Sequence, residues 1–310
     1  MGLRLHHLRN LIALADAGSI RGAARTLKLS QSALTQSIGQ LERDLDVPLV
    51  QRGARGSEFT PIGLELLERA RAIEAELKRA EEGVLQLAGK FRGTLGIGVS
   101  LTASLTVIPG ALNRIHQRYP NLQIRIMEGI YPPIIGSIRN GTLDLAVGPL
   151  PLKQAEKDLH LEALFEQEIV IAARRDHPLA DKPQSLERLA SEQWVVTGPS
   201  GAPGGVVASI FSQHRLPAPH VAVHSESTIA LAGIIGGTNL LGTLPLSVFN
   251  SMSISGLRPL RLRERIPTLT IGIIRKIEPW PTPIAGEFIA LLRKEAQRYR
   301  ARRADPSRRS

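Results

Sequence analysis

The N-terminal stretch repeats its apolar residues at helical spacing. Leu5, Leu8, Ile12 and Ala15 mark a first amphipathic helix. Ser19 is a good N-cap for a second, in which Ala23 and Ala24 are small enough for a close crossing, and Lys28-Leu29-Ser30 supplies a turn ending in another cap. In the third helix Leu34, Ile38, Leu41 and Leu45 put one apolar stripe against the bundle. The opposite stripe holds Ser32, Thr35, Gln36, Gly39 and Arg43, with Gln31 at the helix start. That face is polar and almost uncharged, and sits where a recognition helix lays its N-terminal side chains into the major groove. An ordinary helical hairpin that binds nothing has the same spacing. After Val47-Pro48 the short run Leu49-Val50 leads into Gln51-Arg52-Gly53-Ala54-Arg55-Gly56, whose two arginines on a turn-rich loop suit a wing against backbone phosphate.

Beyond Thr60, an N-cap with Pro61 at the first helical position, the pattern becomes one long charged helix to about Lys90. Leu66, Ala70, Ile73, Leu77, Ala80, Val84 and Leu87 alternate four and three residues apart, a heptad seam that favours pairing of two chains over packing on one.

From Thr94 the rhythm changes again. A strand (TLGIGV), a helix (about 104 to 118), a strand (QIRIME), a helix (about 132 to 140) and a strand (LDLAVG) are followed by the same order in WVVT, a helix (about 204 to 214), HVAVHS, a helix (about 227 to 236) and NLLGTL. Strands alternating with helices predict parallel sheets, and two such units predict two α/β lobes. Extended apolar runs around 163 to 174 and 257 to 277 suit paired crossover strands, and a helix from about 284 to 300 returns to the first lobe. Ligands of open parallel sheets settle beyond the carboxyl ends of the strands. Those ends carry Ser100, Thr102, Ser104, Gly148 and Pro149 in the first unit, and Thr197, Gly198, Ser200, Ser225, Ser227 and Thr228 in the second. Hydroxyls beside free N–H groups at helix starts favour an anionic group, although helix capping alone also places serine and threonine there.

Other chemistry is set aside. Gly96-Ile97-Gly98 lacks the third glycine of a dinucleotide fingerprint and lies within a strand, and Gly201 to Gly205 reads as a flexible helix entrance, with phosphate cradling as the lesser alternative. His220 and His224 flank a strand-like Val-Ala-Val, too far apart to share a metal ion. No nucleophile elbow or paired-carboxylate pattern appears, so neither an enzyme nor a cofactor is expected. With 310 residues, 43% of them hydrophobic, the chain can build two or three cores. No run is long enough to span a bilayer and the N-terminus lacks a secretory apolar segment, so a cytoplasmic protein with no membrane partner is expected. The absence of cysteine excludes disulfides and thiol redox sensing. An aromatic content of 4% argues mildly against an aromatic-stacking pocket.

The net charge of +11 suits a polyanion, yet residues 1 to 60 contribute only +3 while residues 293 to 310 contribute +6. The basic tail reads as a solvated segment; the alternative is sequence-independent DNA attraction through Arg300, Arg302, Arg303, Arg308 and Arg309.

With these residues in view, the chain resembles the LysR-type transcriptional regulators over nearly its whole length. LRNLIALADAGSIRGAARTLKLSQSALTQSIGQLERDLDVPLVQR followed by FTPIGLELL is similar to that family's winged helix-turn-helix in residue types, order and spacing. Ser32 stands where the family often has proline and Gln36 where it often has arginine, so operator preference does not transfer; Val50 replaces a frequent aromatic. The resemblance implies an N-terminal all-α winged helix-turn-helix (1–60), a linker and dimerisation helix (61–90) and a two-lobed, periplasmic-binding-protein-like α/β effector domain (91–310). Lobe I then spans about 91–165 and 266–303, and lobe II about 166–265. It further implies a regulator that binds double-stranded DNA, forms homodimers through the linker helix and from them homotetramers, contacts RNA polymerase, and senses a small anionic or polar metabolite between the lobes. Gln31, Ser32, Thr35 and Gln36 are expected at base edges, and Ser30, Ser37, Arg43, Arg52 and Arg55 on phosphate. Ser100, Thr102, Gly148, Pro149, Thr197, Gly198, Ser227 and Thr228 are the expected effector contacts; the family's effectors favour the loops matching Ser100, Thr102, Thr197 and Thr228. The main rival reading is a solute-binding protein without a DNA role, and an enzyme on a two-lobed scaffold is a more distant one.

Overall fold

The computed structural model describes residues 3–53, 56–88, 93–129, 132–151, 157–198, 205–251, 256–277 and 281–304. Three helices open it: α1 (Leu5–Ala17), α2 (Ile20–Leu27) and α3 (Gln31–Leu45). Leu11, Leu14, Ala23, Ala24, Leu34 and Leu41 are buried between them, which is the packing their spacing predicts. Strands β1 (Val50–Gly53) and β2 (Gly56–Phe59) form an antiparallel hairpin, with Arg52 opposite Ser57. The hairpin base is tied to α3 by Glu42, whose Oε1 accepts from the Leu49 and Val50 amides at 2.7 and 3.0 Å. Helix α4 (Pro61–Leu87) starts on the Thr60 cap and packs against α1, where Arg71 meets Asp16 and Arg9 meets Glu74. Its first turn lies so close to the hairpin base that a Cβ at Gly63 would collide with the Leu49 carbonyl oxygen. Of the predicted seam, Ala70 is buried in the single chain, whereas Ile73, Ala80, Val84 and Leu87 are exposed.

The first α/β unit comprises β3 (Thr94–Val99), α5 (Leu101–Thr106), α6 (Ile108–Arg118), β4 (Gln123–Glu128), α7 (Ile135–Arg139), β5 (Leu145–Pro149) and β6 (Leu159–Gln167). The helix expected at 104 to 118 is two helices, because Pro109 has no N–H to continue the first and instead starts the second. The second unit comprises β7 (Ile169–Arg174), α8 (Leu186–Ala190), β8 (Gln193–Thr197), α9 (Gly205–Gln213), β9 (His220–Ser225), α10 (Thr228–Gly237), β10 (Gly242–Pro245), α11 (Leu246–Ser251) and β11 (Leu257–Pro259). The chain then returns through β12 (Leu269–Lys276) and α12 (Pro283–Ala304).

The first sheet has the order β4-β3-β5-β12-β6, parallel from β4 to β5 and antiparallel at β12. In the second unit β8 and β9 are parallel, but β10 pairs antiparallel with β7, and Leu241 reaches β8 through a parallel bridge to Trp194. The crossover runs pair as expected, β6 with β12 and β7 with β11, so two connections join the lobes. Helix α12 lies on α6 and β6, filling the first core with Phe288 and Leu292. Trp194, Phe211, Leu186 and Leu241 centre the second. Gly96 and Gly98 are packing features of β3: a Cβ on Gly96 would strike the Thr142 carbonyl oxygen at 2.6 Å, and one on Gly98 would overlap Ile134.

Polar contacts seat the far half of α4 on the first lobe. Asp144 accepts from the Gly96 amide at 2.8 Å and faces the Arg79 guanidinium at 3.4 Å, Glu82 accepts from the Thr94 amide, and buried Gln86 accepts from the Ile284 amide. Burial pushes the Asp144 carboxyl above its usual pKa, against the pull of the Gly96 N–H and of Arg79.

Candidate functional site

Caps set the geometry of the reading helix. Ser19 Oγ accepts from the Gly22 amide, Lys28 ends α2 in the left-handed region at φ 56°, and Ser30 Oγ accepts from the Ala33 amide at 3.1 Å. Leu34, Ile38 and Leu41 face inward, which leaves Gln31, Ser32, Thr35 and Gln36 exposed on the other side of α3. The Gln31 and Gln36 side-chain amides make no hydrogen bond among the described residues, so each has a donor and an acceptor free for a base edge. Thr35 spends its hydroxyl proton on the Gln31 carbonyl at 2.9 Å, and Ser32 Oγ lies 2.9 Å from Ser30 Oγ.

The predicted phosphate contacts divide. Ser30 is first of all a cap. Ser37 is half-buried and accepts from Asn10 Nδ2 at 2.7 Å, which leaves its own proton to donate outward. Arg43 is exposed and donates to Gln40. Arg52 lies on β1, while Arg55 falls outside the described residues. Sequence reasoning missed Asn10, which is 5% exposed and fixes α3 against α1. It also missed Arg21 and Arg25 on α2 and Lys28 at its C-cap, all exposed and without an ion pair among the described residues. The i, i+4 spacing of Arg21 and Arg25 was the available signal.

A cavity of about 100 Å³ lies where the two lobes meet. Five expected residues line it: Ser100, Thr102 and Pro149 from the first lobe, Thr197 and Thr228 from the second. Three do not reach its wall. Gly148 sits within β5 and faces Ser100, Gly198 bonds the Ser225 carbonyl through its amide, and Ser227 turns its Oγ to cap Ala230. Ser200 falls outside the described residues, as does most of the glycine-rich entrance to α9. The sequence did not reveal Thr243, nor the apolar wall of Ile169, Val196, Val207, Leu244 and Val248.

The wall sorts its hydroxyls by role. Ser100 Oγ accepts from the Ala103 amide and serves its helix, whereas the hydroxyls of Thr102, Thr197, Thr228 and Thr243 have no hydrogen-bond partner among the described residues. The first turn of α10 also ends on the wall, at Thr228, whose backbone N–H has no helical acceptor. Among the described residues no charged side chain lines the cavity, no cluster of metal-ligating side chains occurs, and no helix is long and apolar enough to cross a membrane.

Comparison with known proteins agrees with this geometry. Residues 5–64 match the model for the bacterial regulatory helix-turn-helix protein, lysR family, and residues 88–297 the model for the LysR substrate binding domain. The HTH-type transcriptional regulator TdcA of Escherichia coli (strain K12) is 25% identical over 264 residues, 85% of this chain and 84% of that protein. The transcriptional dual regulator GltC of Bacillus subtilis (strain 168) is 27% identical over 294 residues, 92% of this chain and 95% of that protein. Among solved structures, CbnR, a LysR family transcriptional regulator, superposes with a TM-score of 0.70 at 20% identity, covering 95% of this chain and 99% of that one. Full-length CbnR complexed with its target DNA gives a TM-score of 0.68 at 20% identity, covering 95% and 100%. The chain therefore belongs to the LysR family of transcriptional regulators, with that family's DNA-binding helix-turn-helix at its N-terminus and its substrate-binding domain behind it.

Proposed function

We propose that this regulator reads its operator through Gln31, Ser32, Thr35 and Gln36, and responds to a small organic acid or comparably polar metabolite held between the lobes. The four unpartnered hydroxyls of Thr102, Thr197, Thr228 and Thr243 around one cavity carry the effector assignment. Together with the free N–H groups at the start of α10 they supply donors for one carboxylate-sized group, and the aliphatic wall accepts a short hydrocarbon. The cavity's volume of about 100 Å³ has room for a small organic acid.

The working units in this reading are residues 1–60, 61–90 and 91–310. The exposed Ile73, Val84, Leu85 and Leu87 of α4 support a homodimer through that helix, and pairing of dimers gives a tetramer. Effector binding changes the pose of the lobes, which re-spaces the paired reading helices and alters the DNA bend or the contact with RNA polymerase. Operator binding places the protein in the cytoplasm.

A thermal-shift series of short carboxylates, hydroxy acids and sulfonates tests the effector assignment. A ligand at a hundred times its Kd adds about 2.7 kcal/mol of stability. The double variant Thr197→Val, Thr228→Val should cut that shift to about a third. The assignment fails if none of these acids raises the melting temperature, or if the shift is undiminished in the double variant.

A further inference from the structure

Away from the reading helix, unpaired positive charge gathers on the second lobe. Between β11 and β12 the chain crosses that lobe as a ribbon with inward and outward residues in alternation, bending at Arg263 and Glu264. Leu260, Leu262 and Ile266 pack inward on the core around Trp194 and Phe211, while Arg261, Arg263 and Arg265 are exposed. Backbone bonds fix this register: the Gln184 amide donates to the Arg261 carbonyl at 2.9 Å, and the Arg263 amide to the Gln184 carbonyl at 3.0 Å.

The one acid of the ribbon, Glu264, turns inward and accepts from the Leu186 amide at 3.2 Å, so it neutralises none of the three. Among the described residues none of the three guanidiniums has an ion pair or a hydrogen bond. Several arginines elsewhere on the same domain are paired. Arg258 meets Asp181 at 2.9 Å, Arg188 meets Glu192 at 2.6 Å, and Arg114 meets Glu295 at 2.9 Å. The fold adds two more cations to the ribbon's edges. His214 Nε2 contacts the Arg265 carbonyl at 2.9 Å, which brings exposed Arg215 to one end, and the Gln184 pairing brings exposed Lys182 to the other.

We propose that this ribbon is a second, sequence-independent DNA contact, gripping the phosphate backbone beyond the stretch occupied by the reading helices. Each guanidinium fork matches two phosphate oxygens, a geometry that lysine lacks.

The test uses the full chain, its triple variant Arg261→Gln, Arg263→Gln, Arg265→Gln, and the matching triple lysine variant. Affinity is titrated against salt on random-sequence duplexes of about 20 and about 80 base pairs, the shorter covering little more than two half-sites one helical turn apart. On the long duplex the glutamine variant should show a salt slope shallower by about 2 to 3, at ~0.9 for each phosphate no longer neutralised, and the lysine variant should keep the slope. On the short duplex both should match the parent. An unchanged slope on the long duplex overturns the proposal, and so does an equal flattening on the short one. A flattened slope in the lysine variant would point to a structural role and also defeats it. Polyglutamate is the second probe: if the glutamine variant gives up polyglutamate binding while its DNA slope stays intact, the ribbon is reassigned to an acidic protein. The melting temperatures of all three chains should coincide, since the substituted guanidiniums bond to none of the described residues.

Discussion

The reading face of α3 and the wall between the lobes both rely on uncharged hydrogen-bonding side chains, but in opposite settings. On α3 the free groups are the long, exposed amides of Gln31 and Gln36, which adapt by rotation and lose rotamer freedom when they bind. On the wall they are β-branched threonines with χ1 already restricted, Thr102 among them at 3% exposure. Serine serves a third purpose in both places, because Ser19, Ser30, Ser100 and Ser227 all cap helices.

The strongest way to break the comparison is to damage the support of one region and spare the other. Gly63→Ala should cost about 3 kcal/mol through its collision with the Leu49 carbonyl. DNA retention is then abolished at temperatures where cavity ligands still raise the melting point of the remaining domain. Next in size, Gln31→Ala and Gln36→Ala should each remove about 1 to 3 kcal/mol of operator discrimination, measured as the ratio of specific to random-duplex affinity, with the melting temperature unmoved. Thr197→Val should weaken effector binding by about 1 kcal/mol, roughly fivefold by titration calorimetry, and leave ligand-free DNA binding alone. Ser30→Ala and Ser227→Ala should each cost about 0.5 to 1 kcal/mol in denaturant midpoint, the first mainly in the N-terminal module and the second in lobe II.

The smallest effect is electrostatic. Arg293 beside Glu162, and Arg139 beside Asp158, hold those carboxyls below their usual pKa values. Their stabilisation is therefore complete above the ordinary carboxylate range near pH ~4 and is lost as pH falls through the depressed folded values. Arg293→Gln should lower the neutral plateau of a melting-temperature profile slightly and flatten its acid limb, with the two chains converging below the depressed pKa.

What the sequence revealed was mostly local. Caps and a four-three spacing defined α2, α3 and the start of α4, because helix ends and faces depend on neighbours within a turn. The break between α5 and α6 was less visible, since LTASLTVIPG keeps helical character up to Pro109. Long-range pairing was hidden altogether. NLLGTL reads as a third parallel strand, yet its second half pairs antiparallel with β7, and that is how Thr243 reaches the cavity. Gly148 and Gly198 follow the strand-end rule without reaching the wall, because that rule specifies an end of the sheet and not the direction a residue faces. The arginines of the 260–266 ribbon escaped notice for a similar reason: the apolar run was visible, but which side of it stayed in water depended on the Gln184 contact.

Strand β5 has Asp144 just before its start, against α4, and Pro149 at its end, on the wall of the cavity. Its neighbour β3 spans the same interval from Gly96 towards Ser100. A hydrogen-bonded ribbon of this kind, about 17 Å long, bends with difficulty and does not stretch. In the proposed reading, movement imposed at the cavity end would reach the helix as displacement, with the two strands as a pair of pushrods on a common crank.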